Sequence, residues 1–266
     1  MVKGLYTAHT GMINEQRRLD ILSNNLANAD TNGYKKEGAT SQTFADELAI
    51  RIKDSSRYNL PKNLGIVSMG VHIGETYTDY SQGNFKVTDN ETDVALNGDG
   101  FFAIAYTDKA GNTMVKYTRD GAFTVNTEGY LVTKDGDYVL NMNGAQNGDP
   151  AEGNRIRIDP NAHILIWENG DIYQDGVPVA RLGFVDFEDY NYLRKFGENM
   201  YDLVDGGVRV ASEAKVDQGT IEGANVNIVS EMVNMITISR AYQAGQKVIN
   251  SIDDTLEKAV NSVGTV

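Results

Sequence analysis

The chain has 266 residues, of which 41% are hydrophobic, a composition typical of a folded globular protein with one large domain or two modest ones. It contains no cysteine, which excludes a disulfide framework, a thiolate metal site and a cysteine nucleophile. The net charge of −13 falls mostly on the middle of the chain and argues against nucleic acid or an anionic membrane as a partner.

Proline and glycine divide the chain into two proline-free ends and a middle. All four prolines and 20 of the 27 glycines lie between residues 51 and 221. The first end predicts a helix over residues 3–28, because apolar residues recur every three or four positions and the turn-forming run 30–33 stops the pattern. Its apolar stripe consists of Leu5, Ala8, Met12, Leu19, Leu22, Leu26 and Ala29, with Glu15 as the single interruption.

The C-terminal proline-free region predicts a second helix over residues 227–263, which at 1.5 Å per residue would be roughly 55 Å long. One apolar seam follows a heptad spacing typical of coiled coils. It consists of Met235, Ile238, Tyr242, Gly245, Ile249, Ile252, Leu256, Ala259 and Val263. A second apolar strip beside it consists of Val229, Met232, Val233, Ile236 and Val248. Two strips on one helix need two neighbours, and the first helix can cover only one.

Between the helices the apolar pattern alternates with a period of two, which predicts short strands joined by tight turns. The predicted strands are 101–106, 113–118, 122–125, 130–133, 137–140, 164–167, 171–174, 177–180 and 182–187. The pairs 128–129, 135–136, 169–170 and 175–176 each end in glycine, which accepts the positive φ of tight hairpin turns.

These patterns predict an α+β fold, in which a mainly β central domain of hairpins lies between long N- and C-terminal helices that pair as a coiled-coil-like layer. The expected divisions are the first helix and its turn (1–44), an extended connecting segment (45–69), the all-β body (70–221) and the last helix (222–266). The two ends have to meet in space, because each would otherwise expose its apolar face to water.

The sequence offers no pattern for catalysis, for a cofactor or for a metal. His9, His72 and His163 stand far apart and in no ligand spacing. The run from Asn141 to Glu152 fails the calcium-loop pattern at its fifth and sixth positions, and the glycine-rich run 97–100 precedes a strand instead of a helix. The 37 acidic residues leave a glycosidase-like acid pair open, although nothing singles one out.

Several segments resemble the signatures of bacterial flagellar rod and hook proteins. They include the runs 18–35, 80–85, 92–102, 117–123, 218–226, 231–236, 240–243 and 247–249, so the likeness spans nearly the whole chain. The residues that carry it are Ser23, Asn24, Asn25, Asn28, Gly33, Tyr34, Gly83, Gly100, Phe101, Phe102, Arg119, Gly121, Glu222, Asn225, Val226, Arg240 and Tyr242. One departure is Ala224, where that family usually has serine, and Asn225 is expected to cap the last helix instead.

The resemblance implies a structural subunit of the flagellar basal body, and no enzyme. Such a protein is exported by the flagellar type III apparatus without a cleaved signal peptide, and it polymerises helically into a shaft that transmits torque. Its partners would be copies of itself, other rod, hook and ring proteins and the export apparatus, with no nucleic acid and no direct membrane insertion. The expected polymerisation residues are Leu5, Met12, Leu19, Leu22, Leu26, Met235, Ile238, Tyr242, Ile249, Ile252 and Leu256.

The position in the shaft is predicted from length and placement. The short middle argues against a hook subunit, while residues 45–69 and the run 196–201 resemble features of distal rod subunits. A distal rod protein is therefore favoured over a proximal rod or hook-type subunit. Two more remote alternatives are a β-rich surface or adhesin domain and a carbohydrate-active enzyme.

Overall fold

The computed structural model describes residues 2–45, 47–50, 63–160, 162–197 and 199–263. The helices are α1 (Val2–Ala27), α2 (Met142–Asn147) and α3 (Ile228–Lys258), followed by a π-helical turn (Ala259–Val263). The strands are β1 (Glu37–Thr43), β2 (Glu47–Ile50), β3 (Asn63–Val67), β4 (Val71–Thr78), β5 (Phe85–Val87), β6 (Val94–Asn97), β7 (Phe101–Thr107), β8 (Thr113–Thr118), β9 (Thr124–Val125), β10 (Leu131–Val132), β11 (Tyr138–Val139), β12 (Ile164–Ile166), β13 (Asp171–Gln174), β14 (Val177–Arg181), β15 (Phe184–Phe187), β16 (Leu193–Lys195), β17 (Met200–Leu203), β18 (Arg209–Ala211), β19 (Lys215–Gln218) and β20 (Thr220–Glu222).

The chain forms two compact units, each built from separate stretches of sequence. The helical unit comprises Met1–Ala27, Lys36–Asp79 and Val226–Val266, and the body unit comprises Asn28–Lys35 and Tyr80–Asn225. The turn that follows α1 therefore belongs to the body unit, whereas β1 to β4 belong to the helical unit.

In the helical unit, α1 and α3 pack against each other in antiparallel directions. A Cβ on Gly245 would lie 2.7 Å from Met12 Cγ, so a side chain at this position would force the Met12 side chain to move. Further along, Ile238 is buried beside Leu22. The buried Asn25 attaches α1 to β1, because its amide donates to Glu37 O at 2.8 Å and its Oδ1 accepts from Glu37 N at 2.9 Å.

Two antiparallel strand pairs complete the helical unit. Strand β1 pairs with β4, and β2 pairs with β3. Residues 45–69, predicted as an extended connection, thus contain a strand pair, while residues 51–62 lie outside the described residues. The division of the chain at 44, 69 and 221 stays a prediction.

The body unit is a mainly β structure with two apolar cores. Its largest sheet has the order β16-β17-β8-β7-β11-β10-β9, with β15 pairing with both β7 and β18. A three-stranded sheet β12-β13-β14 and the pairs β19-β6 and β20-β5 complete it. Neighbouring side chains of β7 enter different cores: Phe102 packs with Phe123 and Ile172, and Phe101 packs with Tyr117 and Tyr201.

The predicted α+β fold is confirmed, with a helix at each end of a mainly β centre. Strands β8 and β13 have the predicted bounds, and the glycines of the four predicted turns all have positive φ. The predicted strands did not include β1 to β6 or β16 to β20. Nor did the predicted helices include α2, where Asn141 accepts a hydrogen bond from Gly144 N as the helix cap.

One detail of the last helix was predicted wrongly. Asn227 caps α3, because its side chain accepts from Ser230 N at 3.1 Å. The amide of Asn225 instead donates to Ser81 O and Oγ, each at 3.1 Å, which holds it in the body unit. Within the described ranges, no helix has the length and apolarity to cross a membrane.

Candidate assembly site

A buried ion cluster lies in the body unit where the two ends of the chain enter it. The carboxylate of Glu222 accepts from Lys35 Nζ at 2.6 Å, from Arg119 Nη1 at 3.1 Å and from Gly83 N at 2.8 Å. The side chains of Lys35, Arg119 and Glu222 are only 1%, 3% and 0% exposed. Removal of one partner from such a group leaves an uncompensated buried charge, which is strongly destabilising.

The two cations of this cluster also donate hydrogen bonds to backbone carbonyl oxygens. Lys35 Nζ also donates to Ser81 O at 2.8 Å, and Arg119 Nη2 donates to Gly98 O at 2.8 Å. The guanidinium carbon of Arg119 lies 5.2 Å from the centre of the Phe101 ring, in a cation–π arrangement. The two cations therefore have backbone oxygens as further acceptors, in addition to the one carboxylate that they share.

The turn after α1 joins this cluster through its backbone. Gly33 N donates to Glu222 O at 2.7 Å, and Asn225 N donates to Tyr34 O at 3.3 Å. Gly33 has φ +65°, and a Cβ there would lie 2.4 Å from the carbonyl carbon of Arg119. A side chain at this position would push the turn away from the body.

The electrostatics next to the cluster follow from burial. Burial raises the pKa of Asp120, although its Oδ1 accepts from Ala122 N at 3.0 Å. Burial and the neighbouring Asp186 also raise the pKa of Tyr190, whose hydroxyl donates to Asp186 Oδ1 at 2.7 Å. Tyr190 therefore stays protonated and packs on Tyr80, with the ring centres 5.0 Å apart.

The signature residues fall into three groups in the structure. Gly33, Tyr34, Gly83, Arg119, Glu222 and Asn225 meet at the ion cluster. Phe101 and Phe102 are buried in the cores of the body unit, and Gly121 lies in the loop that follows Arg119. The remaining signature residues stand elsewhere: Ser23, Asn24, Asn25, Asn28, Gly100, Val226, Arg240 and Tyr242.

Sequence reasoning quoted Lys35 within the signature but gave it no role. Its partner Glu222 is 187 residues away, and no local pattern connects the two positions. Gln82 was likewise unassigned, and its amide donates to Leu96 O at 2.5 Å. The available signal was that Lys35 and Glu222 both stand within runs that resemble the family signatures.

The residues expected to mediate polymerisation mostly lie between α1 and α3. Ile238 is buried, while Leu5 and Leu256 are exposed. The others are half-buried: Met12, Leu19, Leu22, Leu26, Met235, Tyr242, Ile249 and Ile252. This seam is thus largely used within the helical unit.

The second apolar strip of α3, here called the outer strip, remains uncovered. It consists of Val229, Met232, Val233, Ile236 and Val248. These side chains are between 47% and 71% exposed. Apolar residues repeated along one helix face, and not scattered singly, are typical of an interaction surface.

The structure shows where the three histidines lie. His163 Nδ1 lies 2.6 Å from Glu91 Oε1 on the surface, and the His72 ring stacks on Phe44 with centres 4.7 Å apart. His9 lies on an exposed part of α1. Over the described ranges, no group of three His, Cys, Asp or Glu side chains is placed to hold a metal ion.

The fold and the uncovered strip define a class of protein: an α+β protein with a mainly β body and paired terminal helices, one of which presents exposed apolar side chains. Three family models match the chain. They are described as flagella basal body rod protein over residues 5–35, flagellar hook protein FlgE/F/G D1 domain over 95–174, and flagellar basal body rod FlgEFG protein C-terminal over 217–262.

Full-length relatives agree with these matches. The chain is 31% identical to the flagellar basal-body rod protein FlgG of Buchnera aphidicola subsp. Schizaphis graminum, covering 97% of this chain and 98% of the relative. It is 31% identical to FlgF of Caulobacter vibrioides over 100% of both chains, and 32% identical to FlgG of Bacillus subtilis over 98% and 99%. The chain belongs to the flagellar basal-body rod protein family, whose members are structural proteins of the rod.

Proposed function

We propose that this protein is a distal rod subunit of the bacterial flagellum, which polymerises helically through its terminal helices into the shaft that transmits torque from motor to hook. The observation that carries the proposal is the outer strip of α3, since its five apolar side chains remain exposed after α1 has packed on the other side. Burial of one such side chain contributes about 1.5–3 kcal/mol. A neighbouring subunit that covered the strip would gain that stabilisation several times.

The seam residues belong to the same proposal in a different role. Met12, Leu22, Ile238 and Ile249 stabilise the α1–α3 pair that presents the outer strip. Leu5 and Leu256, which are 37% and 42% exposed, extend the contact surface toward the end of the pair. A stiff shaft needs both the rigid pair and the contact between pairs.

Partners and location follow from the family. Copies of this chain, other rod and hook proteins, ring proteins and the export apparatus are the proposed partners, and the flagellar basal body is the proposed location. Export without a cleaved signal peptide is part of the proposal. Catalysis, a cofactor, nucleic acid binding and membrane insertion are not part of it.

FlgG relatives fit a distal position in the rod. The distal position is favoured because FlgG proteins of Buchnera and Bacillus align with this chain over nearly their whole length. A proximal rod or hook-type subunit is the second candidate, because the Caulobacter FlgF relative is equally similar. Electron microscopy of isolated basal bodies with this subunit labelled separates the two. A label next to the hook supports the distal position, and a label near the motor contradicts it.

Assembly is tested on the purified full-length chain by sedimentation and negative-stain electron microscopy. The triple variant Val229→Ser, Val233→Ser and Ile236→Ser should remain folded and monomeric at concentrations where the unmodified chain forms filaments. The matched control replaces Val177 and Val208, which are exposed on the body unit, with serine. Filaments of the triple variant at the wild-type concentration would contradict the proposal.

A further inference from the structure

A cavity of about 250 Å³ lies within the helical unit, between α1, α3 and the β1–β4 pair. Ile21, Leu22 and Ile238 form its apolar side. Glu231, Arg18 and Lys36 bring charged groups to it. The cavity thus combines an apolar wall with a charged end inside one unit.

The carboxylate of Glu231 is the unusual group in this cavity. The residue is only 8% exposed, and its Oε2 atom is buried without a hydrogen-bond partner among the described residues. A buried carboxylate oxygen that accepts no hydrogen bond is strongly unfavourable, and buried polar atoms in native proteins nearly always have a partner. None of the described side chains that line the cavity, Asn234 and Tyr77 included, donates to this oxygen.

The two cations beside the cavity are already paired elsewhere. Arg18 Nη1 donates to both carboxylate oxygens of Glu15 at 3.3 Å. Lys36 Nζ lies 3.3 Å from Asp79 Oδ2. Neither cation donates to Glu231 Oε2, and the apolar wall with a carboxylate at its end suits the aliphatic stem and guanidinium of an arginine.

Arg17 is an arginine that can supply this group from another molecule. It is exposed on α1 and makes no ion pair with any residue that the structure describes. It lines a separate groove of about 180 Å³ together with Ile13 and Phe44, which are themselves exposed. Its neighbour Arg18 lines the Glu231 cavity instead, so the two arginines belong to different faces of α1.

From these contacts we infer that Arg17 of a second copy of this chain enters the cavity and pairs with Glu231. A polymer of identical subunits needs two different, mutually complementary patches, because a head-to-tail contact joins unlike surfaces. An unpaired buried acid on one patch and an unpaired exposed base on the other supply that complementarity. This inference rests on the proposed polymerisation and adds the pair of residues that sets its register.

The test mixes two charge-reversed variants of the full-length chain. Glu231→Arg alone and Arg17→Glu alone should each need at least about a ten-fold higher concentration to form filaments, since a charged hydrogen bond is lost and like charges meet. An equimolar mixture of the two should assemble at close to the wild-type concentration, because each variant then meets a complementary partner. The double variant should assemble by itself for the same reason.

Neutral variants test whether the charge-reversed chains fail to assemble only because they do not fold. Glu231→Gln and Arg17→Gln should each raise the assembly concentration, and their double variant should raise it no further than either single one. The control pair replaces exposed residues of α3, Asp254→Arg and Arg240→Glu, and should not show mutual rescue with either member of the proposed pair.

Each other outcome overturns the inference. Additive effects of the two glutamine variants, rescue of Glu231→Arg by Arg240→Glu, or assembly of Glu231→Arg at the wild-type concentration would show that Arg17 does not fill the cavity. Failure of the unmodified chain to assemble under any condition contradicts the proposed function itself. The failure of the Arg17–Glu231 pairing and the failure of the proposed polymerisation are therefore distinguishable.

Discussion

Lys35 Nζ lies 2.6 Å from Glu222 Oε1, although 187 residues separate the two positions along the chain. Lys35 ends the turn after α1, and Glu222 ends β20 shortly before α3. Both side chains are fully buried, so neither charge can be solvated by water and each depends on the other. This pair holds the segments next to both terminal helices within one unit.

The ion cluster predicts a large loss of stability when its carboxylate is neutralised. Glu222→Gln should lower the free energy of unfolding by about 3–5 kcal/mol, because Lys35 and Arg119 then remain buried without a counter-charge. Urea unfolding followed by near-ultraviolet circular dichroism measures this change.

Glu168→Gln is the matched control for that measurement. Glu168 pairs with Lys215 at 2.7 Å, nearly the same distance as in the buried pair, but both side chains are mostly exposed. Its replacement should leave the urea midpoint almost unchanged, because water screens the pair. Equal losses in the two variants would show that burial does not determine the strength of the Glu222 cluster.

Replacement of Gly33 should destabilise the protein both through its backbone conformation and through a steric clash of the new side chain. Gly33→Ala should destabilise the protein by the roughly 1–2 kcal/mol of a left-handed residue and by about 1–3 kcal/mol more for the contact with the Arg119 backbone. Gly176→Ala, at φ +81° with open space around it, isolates the first contribution. Thermal unfolding of both variants gives the difference, and equal melting temperatures would contradict the steric account.

Asp120 predicts a pH dependence of stability. Burial raises the pKa of this carboxyl above its ordinary value of 3.8, so between 3.8 and the raised value the folded chain holds more protons than the unfolded chain. Its contribution to the free energy of unfolding therefore falls as the pH rises through that window and is constant above it.

Asp120→Asn should remove this contribution and keep the hydrogen bond from Ala122 N. The free energy of unfolding of the variant, relative to the unmodified chain, should increase as the pH rises from below 3.8 and then level off. Urea titrations of both proteins at several pH values measure this difference. A difference that decreases with rising pH would give the opposite sign for the pKa shift.

The two asparagines before α3 predict different effects. Asn227→Ala should lower stability by about 1 kcal/mol and shorten α3 at its first turn, because Ser230 N loses its acceptor. Asn225→Ala should instead loosen the contact with Ser81 in the body unit and leave the helix start unchanged. Hydrogen exchange of the first turn of α3 separates them, and faster exchange there in Asn225→Ala would contradict the assignment of the cap.

Local chemistry accounts for the parts of the fold that were predictable. The strand over 171–174 and its turn at Asp175 and Gly176 follow from alternation and from the positive φ that both turn residues adopt. The helices α1 and α3 follow from apolar residues at helical spacing without proline. The short strands β16 to β20 were missed, because three or four residues carry too little periodic signal and β18, β19 and β20 pair with strands distant in sequence.

The sequence by itself determined the helix–β–helix order, the turn positions and the flagellar rod family, because propensity, periodicity and contiguous signatures are local properties of a chain. Only the tertiary structure decided that Lys35, Arg119 and Glu222 share one buried site, and that the outer strip stays exposed while the seam is covered. Pairing and burial depend on which distant segments pack together, and no local pattern encodes that choice.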